Sequence, residues 1–190
     1  AKNNIGLITL RINGEGNEFV CLLTNQIIEK GSLPKGNYSL FPLYLYSEKT
    51  DQQSLLDAVV RTPNLNMEIV NQIGEQLGLY FSPEELDGTT TVETNQFTPL
   101  NILDYIYAVL HSPNYREKYK EFLKIDFPRV PYPKNQKTFF DLVALGSQLR
   151  QIHLLESEVT ENYITQYPED GDNIVVKPTY KDGNVYINPT

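Results

Sequence analysis

The sequence has no tryptophan, one cysteine, one methionine and two histidines. A single thiol excludes an intramolecular disulfide framework and favours a reducing compartment. That cysteine, Cys21, stands among Val20, Leu22 and Leu23 and reads as a small core residue rather than a nucleophile. The two histidines, His111 and His153, have no cysteine pairs to join them as zinc ligands, and each reads as a packing or capping residue near a helix end. No run of 18 apolar residues occurs, so no membrane span is expected. No basic segment leads into an apolar stretch, so no signal peptide is expected either. The expectation is a cytoplasmic protein without a membrane partner. The chain opens on Ala1-Lys2 and closes on Asn188-Pro189-Thr190, and it reads as a piece of a longer polypeptide.

Catalytic motifs are also lacking. There is no Gly-x4-Gly-Lys-Ser/Thr phosphate loop and no Gly-x-Ser-x-Gly elbow. Methyl transfer to a base nitrogen needs a glycine-rich turn after a strand and an Asn/Asp-Pro-Pro-aromatic loop, whereas Asn188-Pro189-Thr190 lacks the second proline and the aromatic ring. Pro168-Glu169-Asp170-Gly171-Asp172 has carboxylates but no lysine at the spacing of a phosphodiester-cleaving site, and reads as a solvated acidic turn. Asn37-Tyr38-Ser39 fits the glycosylation pattern only as a chance match. No catalytic residue, metal ligand or cofactor site is expected within this chain.

What remains is a globular composition, 40% hydrophobic and 21% charged, with thirteen tyrosines. A chain of this length buries roughly 70% of its unfolded surface. Net charge is −8, which taken alone argues against a nucleic-acid partner. The distribution qualifies this. Residues 1–40 hold four basic and three acidic groups, and 98–156 hold eight and six; the acid gathers in 41–97, with two and nine, and in 157–190, with two and six.

Ile5–Ile12, Phe19–Leu23 and Tyr38–Tyr46 read as strands, the last interrupted by Pro42 and therefore an edge strand or a bulge. Asn13-Gly14 signals a turn, and Lys30–Gly36 and Asp87–Thr94 signal loops. Leu55, Leu56, Val59 and Val60 suggest a short helix ended by Pro63, and Met67–Leu79 a second. Thr98-Pro99 and Ser112-Pro113 each place a capping hydroxyl before a proline, so helices start at both points. The first has Ile102, Tyr105, Ile106, Val109 and Leu110 on one face; the second runs from Pro113 to Lys124. Phe127–Pro133, with three prolines, is an extended connector. A long helix over Thr138–Leu155 should turn Phe139, Leu142, Val143, Leu149 and Ile152 inward, with Gly146 at a close helix contact. Asp182-Gly183 marks a terminal hairpin. The expected class is α+β, with a β-rich part over 1–97 and a helical part with its hairpin over 98–190, together one compact unit.

Arg116, Lys120 and Lys124 recur every four residues, which on one continuous helix makes a row suited to phosphate contact. A solvated helix face with ordinary ion pairs accounts for the same residues. Arg116–Lys137 holds seven basic and three acidic groups.

The stretch TPLNILDYIYAVLHSPNYREKYKEFLKIDFPRVPYP (98–133), continued by FFDLVALGSQLRQIHLLES (139–157) and YPEDGDNIVVKPTYKDGNVYIN (167–188), resembles the C-terminal specificity region of the Type ISP restriction–modification enzymes. NIGL (4–7) and FPLYLY (41–46) are similar to that region too. The resemblance implies sequence-specific recognition of double-stranded DNA on behalf of a methyltransferase domain of the same polypeptide, which modifies adenine N6 with S-adenosylmethionine. That cofactor is expected in the parent enzyme, not in this part of it. Arg116, Lys120 and Lys124 are then candidates for phosphate contact, and Arg11, Asn13, Asn25, Lys30 and Lys35 for base readout, since arginine and lysine suit guanine and asparagine suits adenine. The helical part becomes a scaffold that docks on the methyltransferase through its tyrosines. The competing reading is a protein–protein docking module without DNA contact. The DNA reading expects one basic concave face, with the acidic groups displaced elsewhere.

Overall fold

The structure, a computed structural model, describes residues 4–11, 19–28, 38–46, 61–83, 95–163, 171–172 and 174–188. It is mixed α+β in the expected order of strands, helices and hairpin, and falls into two compact units, Ala1–Thr160 and Glu161–Thr190.

The first unit opens on a three-stranded antiparallel sheet. Its central strand β1 (Gly6–Leu10) lies between β2 (Cys21–Thr24) and β3 (Tyr38–Pro42). Pro42 ends the edge strand opposite Gly6, where a residue without an N–H does least harm to the ladder. The run Tyr38–Tyr46 is two strands rather than one. At Leu43 the chain turns off, its N–H bonding Ile5 O at 2.7 Å, and β4 (Tyr44–Tyr46) pairs with β5 (Arg61–Pro63) in a separate ladder. The helix expected to stop at Pro63 is thus a strand over its last residues. The cross-strand register and the Arg61 guanidinium over the Tyr44 ring supply contacts that no local pattern announces. Residues 51–60, the rest of that expected helix, lie outside the described residues, as do Asn13-Gly14 and the two expected loops.

Helix α1 (Met67–Leu77) starts where the Asn66 side chain accepts from the Glu68 and Ile69 N–H groups. It stops at Gly78, whose φ of 64° lets Leu79 N–H close back on Gly74 O. β6 (Tyr80–Phe81) and β7 (Gln96–Phe97) form a short parallel pair.

Helix α2 (Pro99–His111) begins with a reciprocal cap: Asn101 N–H bonds Thr98 Oγ1, and Thr98 N–H bonds Asn101 Oδ1. The sequence pattern predicts one apolar face, but Leu103, Asp104, Tyr107 and Ala108 are buried as well, because α2 contacts β2 and also packs along α4 (Gln136–His153). At this seam Gly146 lies against the backbone carbonyl of Asp104, with no room for a Cβ, as the expected close contact requires. One turn on, Arg150 meets Asp104 with two hydrogen bonds, Nε–Oδ1 at 2.7 Å and Nη2–Oδ2 at 3.2 Å, and Ser147 Oγ accepts a third at 3.1 Å. The expected inward stripe of α4 is therefore revised. Phe139 and Val143 are buried, Leu142 and Leu149 half-buried, and Ile152 is exposed, because Gly146 and Arg150 complete the face at i+7 and i+11 from Phe139.

Helix α3 (Pro113–Lys118) is shorter than expected; a turn and a 3-10 segment, Phe122–Lys124, replace its second half. The connector over 127–133 has neither helix nor strand and is held by Tyr115 Oη on Arg129 O and Tyr105 Oη on Pro131 O, both at 2.8 Å. Tyr105, Tyr107 and Tyr115 are thus buried, with hydroxyls bonded inside the chain. Phe97, Tyr107 and Phe139 anchor a core that also holds Cys21, Leu43 and Tyr44, so it runs across residues 97 and 98 without a break.

In the second unit β8 (Thr179–Lys181) and β9 (Asn184–Tyr186) form the expected hairpin. Asp182 and Gly183 have φ of 52° and 83°, the paired positive values of a tight primed turn. Asn188 braces it, accepting from Val176 N–H and donating to Ile174 O.

G146A forces the Asp104 carbonyl away from α4 and is expected to cost about 3 kcal/mol in denaturant unfolding. R150A, which strands a buried carboxylate, is expected to cost about 3–5 kcal/mol, and the double variant D104L/R150M to recover most of that loss.

Candidate nucleic-acid interface

Asn13, Lys30 and Lys35 lie outside the described residues. The structure separates the other two base-readout candidates. Arg11 follows Leu10 at one end of β1, while Asn25 follows Thr24, which pairs with Gly6 at the other end, roughly 20 Å away along the strand. The Asn25 amide is engaged on both sides, donating to Glu156 Oε1 at 3.2 Å and accepting from Gln26 Nε2 at 3.1 Å.

The expected row of Arg116, Lys120 and Lys124 is not built, because α3 ends at Lys118 and the residues after it follow a different helical path. Arg116 turns back onto α2. Its Nε donates to Leu110 O at 2.6 Å, Nη2 lies 3.2 Å from His111 Nδ1, and the guanidinium stands 5.5 Å from the Phe19 ring centre. A cation bonded to the last turn of a helix complements the carbonyl dipoles there. Lys120 stands 4.0 Å from Glu117, and Lys124 holds both Glu121 oxygens, at 2.7 and 2.9 Å. The Lys124 ammonium bond draws the Glu121 carboxyl below its ordinary range.

Arg11 reaches this region as well, its Nε 3.4 Å from Asp126 Oδ1. The Phe127 N–H, at 2.9 Å, is the main influence holding the Asp126 carboxyl below the usual carboxylate range; Arg11 and Arg129 add to it. Arg129 also lies over the Phe122 ring at 5.2 Å. Among the described residues, Arg11, Lys120 and Lys124 each stand within 4.0 Å of a carboxylate. The two lysine pairs join neighbours three residues apart through carboxylates that are largely exposed, and they part at little cost.

Sequence reasoning did not find the polar cluster behind this surface. Tyr107 Oη and His153 Nδ1 are 2.6 Å apart, the His111 and His153 rings lie 5.4 Å apart, and His111 Nε2 is 3.2 Å from Cys21 O. With Arg116 donating to Nδ1, the neutral His111 ring must carry its proton on Nε2 and donate it to the Cys21 carbonyl. Burial, then the charges of Arg116 and His153, lowers His111 to about 4. Burial pushes the Cys21 thiol up to about 12, the wrong direction for a nucleophile. The one available signal was that both histidines close their helices.

Among the described residues no three His, Cys, Asp or Glu side chains converge as metal ligands, and no helix is long and apolar enough to cross a membrane. A cavity of about 390 Å³ between the sheet, α2 and the connector, lined by Leu7, Phe41, Ile102, Ile106 and Phe127 among others, has no ionisable side chain among the described residues of its wall.

The family model of the Type ISP C-terminal specificity domain matches residues 1–190. Among solved structures, a chain of a DrdV–DNA complex determined by cryoEM shares the fold, with a TM-score of 0.56 at 24% identity over 80% of this chain. The match spans 12% of that chain's length. No curated protein matches the sequence.

The folded His111 pKa lies below its ordinary value of 6.5, so the unfolded state takes up more protons as pH falls. Stability complete above about pH 6.5 is lost on the way down to about pH 4. In urea titrations, the stability difference between the wild type and H111Q is expected to vary across that window and to be flat above it.

Proposed function

The chain belongs to the Type ISP C-terminal specificity domain family, and from that membership we propose that it reads the target sequence in double-stranded DNA for an adenine-N6 methyltransferase domain of the same polypeptide, in the cytoplasm. The match over the whole chain carries this reading. Sequence-specific recognition needs donors and acceptors held at base edges and cations that fix register on the phosphates. Lys120 and Lys124 suit the second role, because their carboxylate partners are exposed surface groups that a phosphate can replace. Arg116 is committed to the end of α2 and contributes through the fold. Arg11, 67% exposed at its side chain, suits the first role. Asn25 takes part only by giving up its bond to Glu156.

The resemblance places S-adenosylmethionine in the methyltransferase domain, and no step through that cofactor is assigned to this chain. The chemistry belongs to the methyltransferase, and this domain supplies the address.

The second reading is a docking module that touches no DNA, favoured by the carboxylate beside each of Arg11, Lys120 and Lys124 and by the net charge of −8. A titration of mixed and single-sequence duplexes at several salt concentrations separates the two. Recognition predicts preference for one sequence and an association constant that falls linearly with salt on logarithmic axes, by about 0.9 per phosphate contact. The K120A/K124A variant is expected to weaken binding to all sequences alike and to reduce that slope by about two. Absent or salt-indifferent binding, both by this chain and by a polypeptide joining it to the methyltransferase, would overturn recognition and support docking instead.

A further inference from the structure

Arg11 and Asp126 are 115 residues apart in sequence, yet they meet where the end of β1 reaches the start of the connector. Only Nε of the guanidinium is engaged; its two terminal nitrogens make no hydrogen bond to the described residues, and the side chain is 67% exposed. The carboxylate is fixed from behind, since its Oδ1 also accepts the Phe127 N–H. With Nε on Asp126, the two terminal nitrogens remain as a fork of donors, which matches the O6 and N7 acceptors of guanine.

We propose that Asp126 is a positioning residue that holds the Arg11 fork for bidentate contact with one guanine in the major groove of the target. This rests on the DNA-reading function proposed above and adds its chemistry: one target position is a G·C pair, read by Arg11 and steadied from the helical half of the domain. A phosphate can take the same fork, but such a contact carries no base preference.

The test measures relative affinities of the full chain across duplexes randomised over the target, for wild type, R11K, D126N and K124A. R11K keeps the charge but loses the planar fork; D126N keeps the shape but loses the anionic acceptor. Both are expected to lower guanine preference about tenfold at the same single position, with other positions, the salt slope and the melting temperature close to wild type. K124A is expected to lower affinity uniformly. If R11K and D126N fail to relax a common position while the wild type binds specifically, the pair's role is overturned and the DNA-reading function stands. A uniform loss in R11K makes Arg11 a phosphate contact and overturns the proposal in the same way. A wild type without base preference removes both.

Discussion

The buried pair of Asp104 and Arg150 holds the first unit in register. Each ion loses its water on burial, and only fully bonded geometry compensates. Here both carboxylate oxygens accept from the guanidinium, and Ser147 takes a further bond. Burial raises the Asp104 pKa while the guanidinium pulls it back, so the carboxylate depends on the arginine staying in place. That constrains α4 to one rotation and one height against α2, and Gly146 removes the side chain that would keep the two backbones apart. The position of α2 then determines the remaining contacts. Its Tyr105 draws in the connector, its Tyr107 meets His153 at the far end of α4, and its last turn receives Arg116.

Features that depend on a few neighbouring residues were legible in the sequence. Thr98-Pro99, Ser112-Pro113 and Asp182-Gly183 set their caps and turn locally, and the prolines of 127–133 exclude a helix by sterics alone. Gly146 signalled a close approach without naming its partner. What escaped depends on partners far along the chain. Nothing near Leu43 announces that its N–H will bond Ile5 and send the strand into another ladder. The helical repeat of Arg116, Lys120 and Lys124 continues in the sequence beyond the point where the backbone leaves the α conformation, so a real periodicity suggests a row that is not there. Arg150 carries no local sign of burial, because inward-facing charge is the exception and its carboxylate stands 46 residues away.

For the candidate interface this distinction matters more than net charge. The residue types proposed for DNA contact were readable from the sequence, and the resemblance to the Type ISP specificity region agrees with the family match over the whole chain. Their settings were not readable. Arg116 is drawn into the fold, Asn25 is tied to Glu156, and Arg11 is held by Asp126. On the DNA-reading proposal, discrimination by cations set among carboxylates rests on donors oriented at short range rather than on attraction from a distance.

Ser112 ends α2 with its backbone N–H on Val109 O and begins α3 with its hydroxyl facing the Tyr115 N–H. No spacer separates the two helices, so the bend between them is set by the dihedral angles of one residue, φ −66° and ψ 123°. A joint of this kind accommodates another small hydroxyl residue but not a change in length. One residue added or removed there would rotate the downstream chain by about 100°, the turn per residue of an α-helix, and would carry Asp126 and the connector away from the sheet. Chain length is therefore constrained between Val109 and Tyr115 in addition to the identities of the residues that cap and pack there.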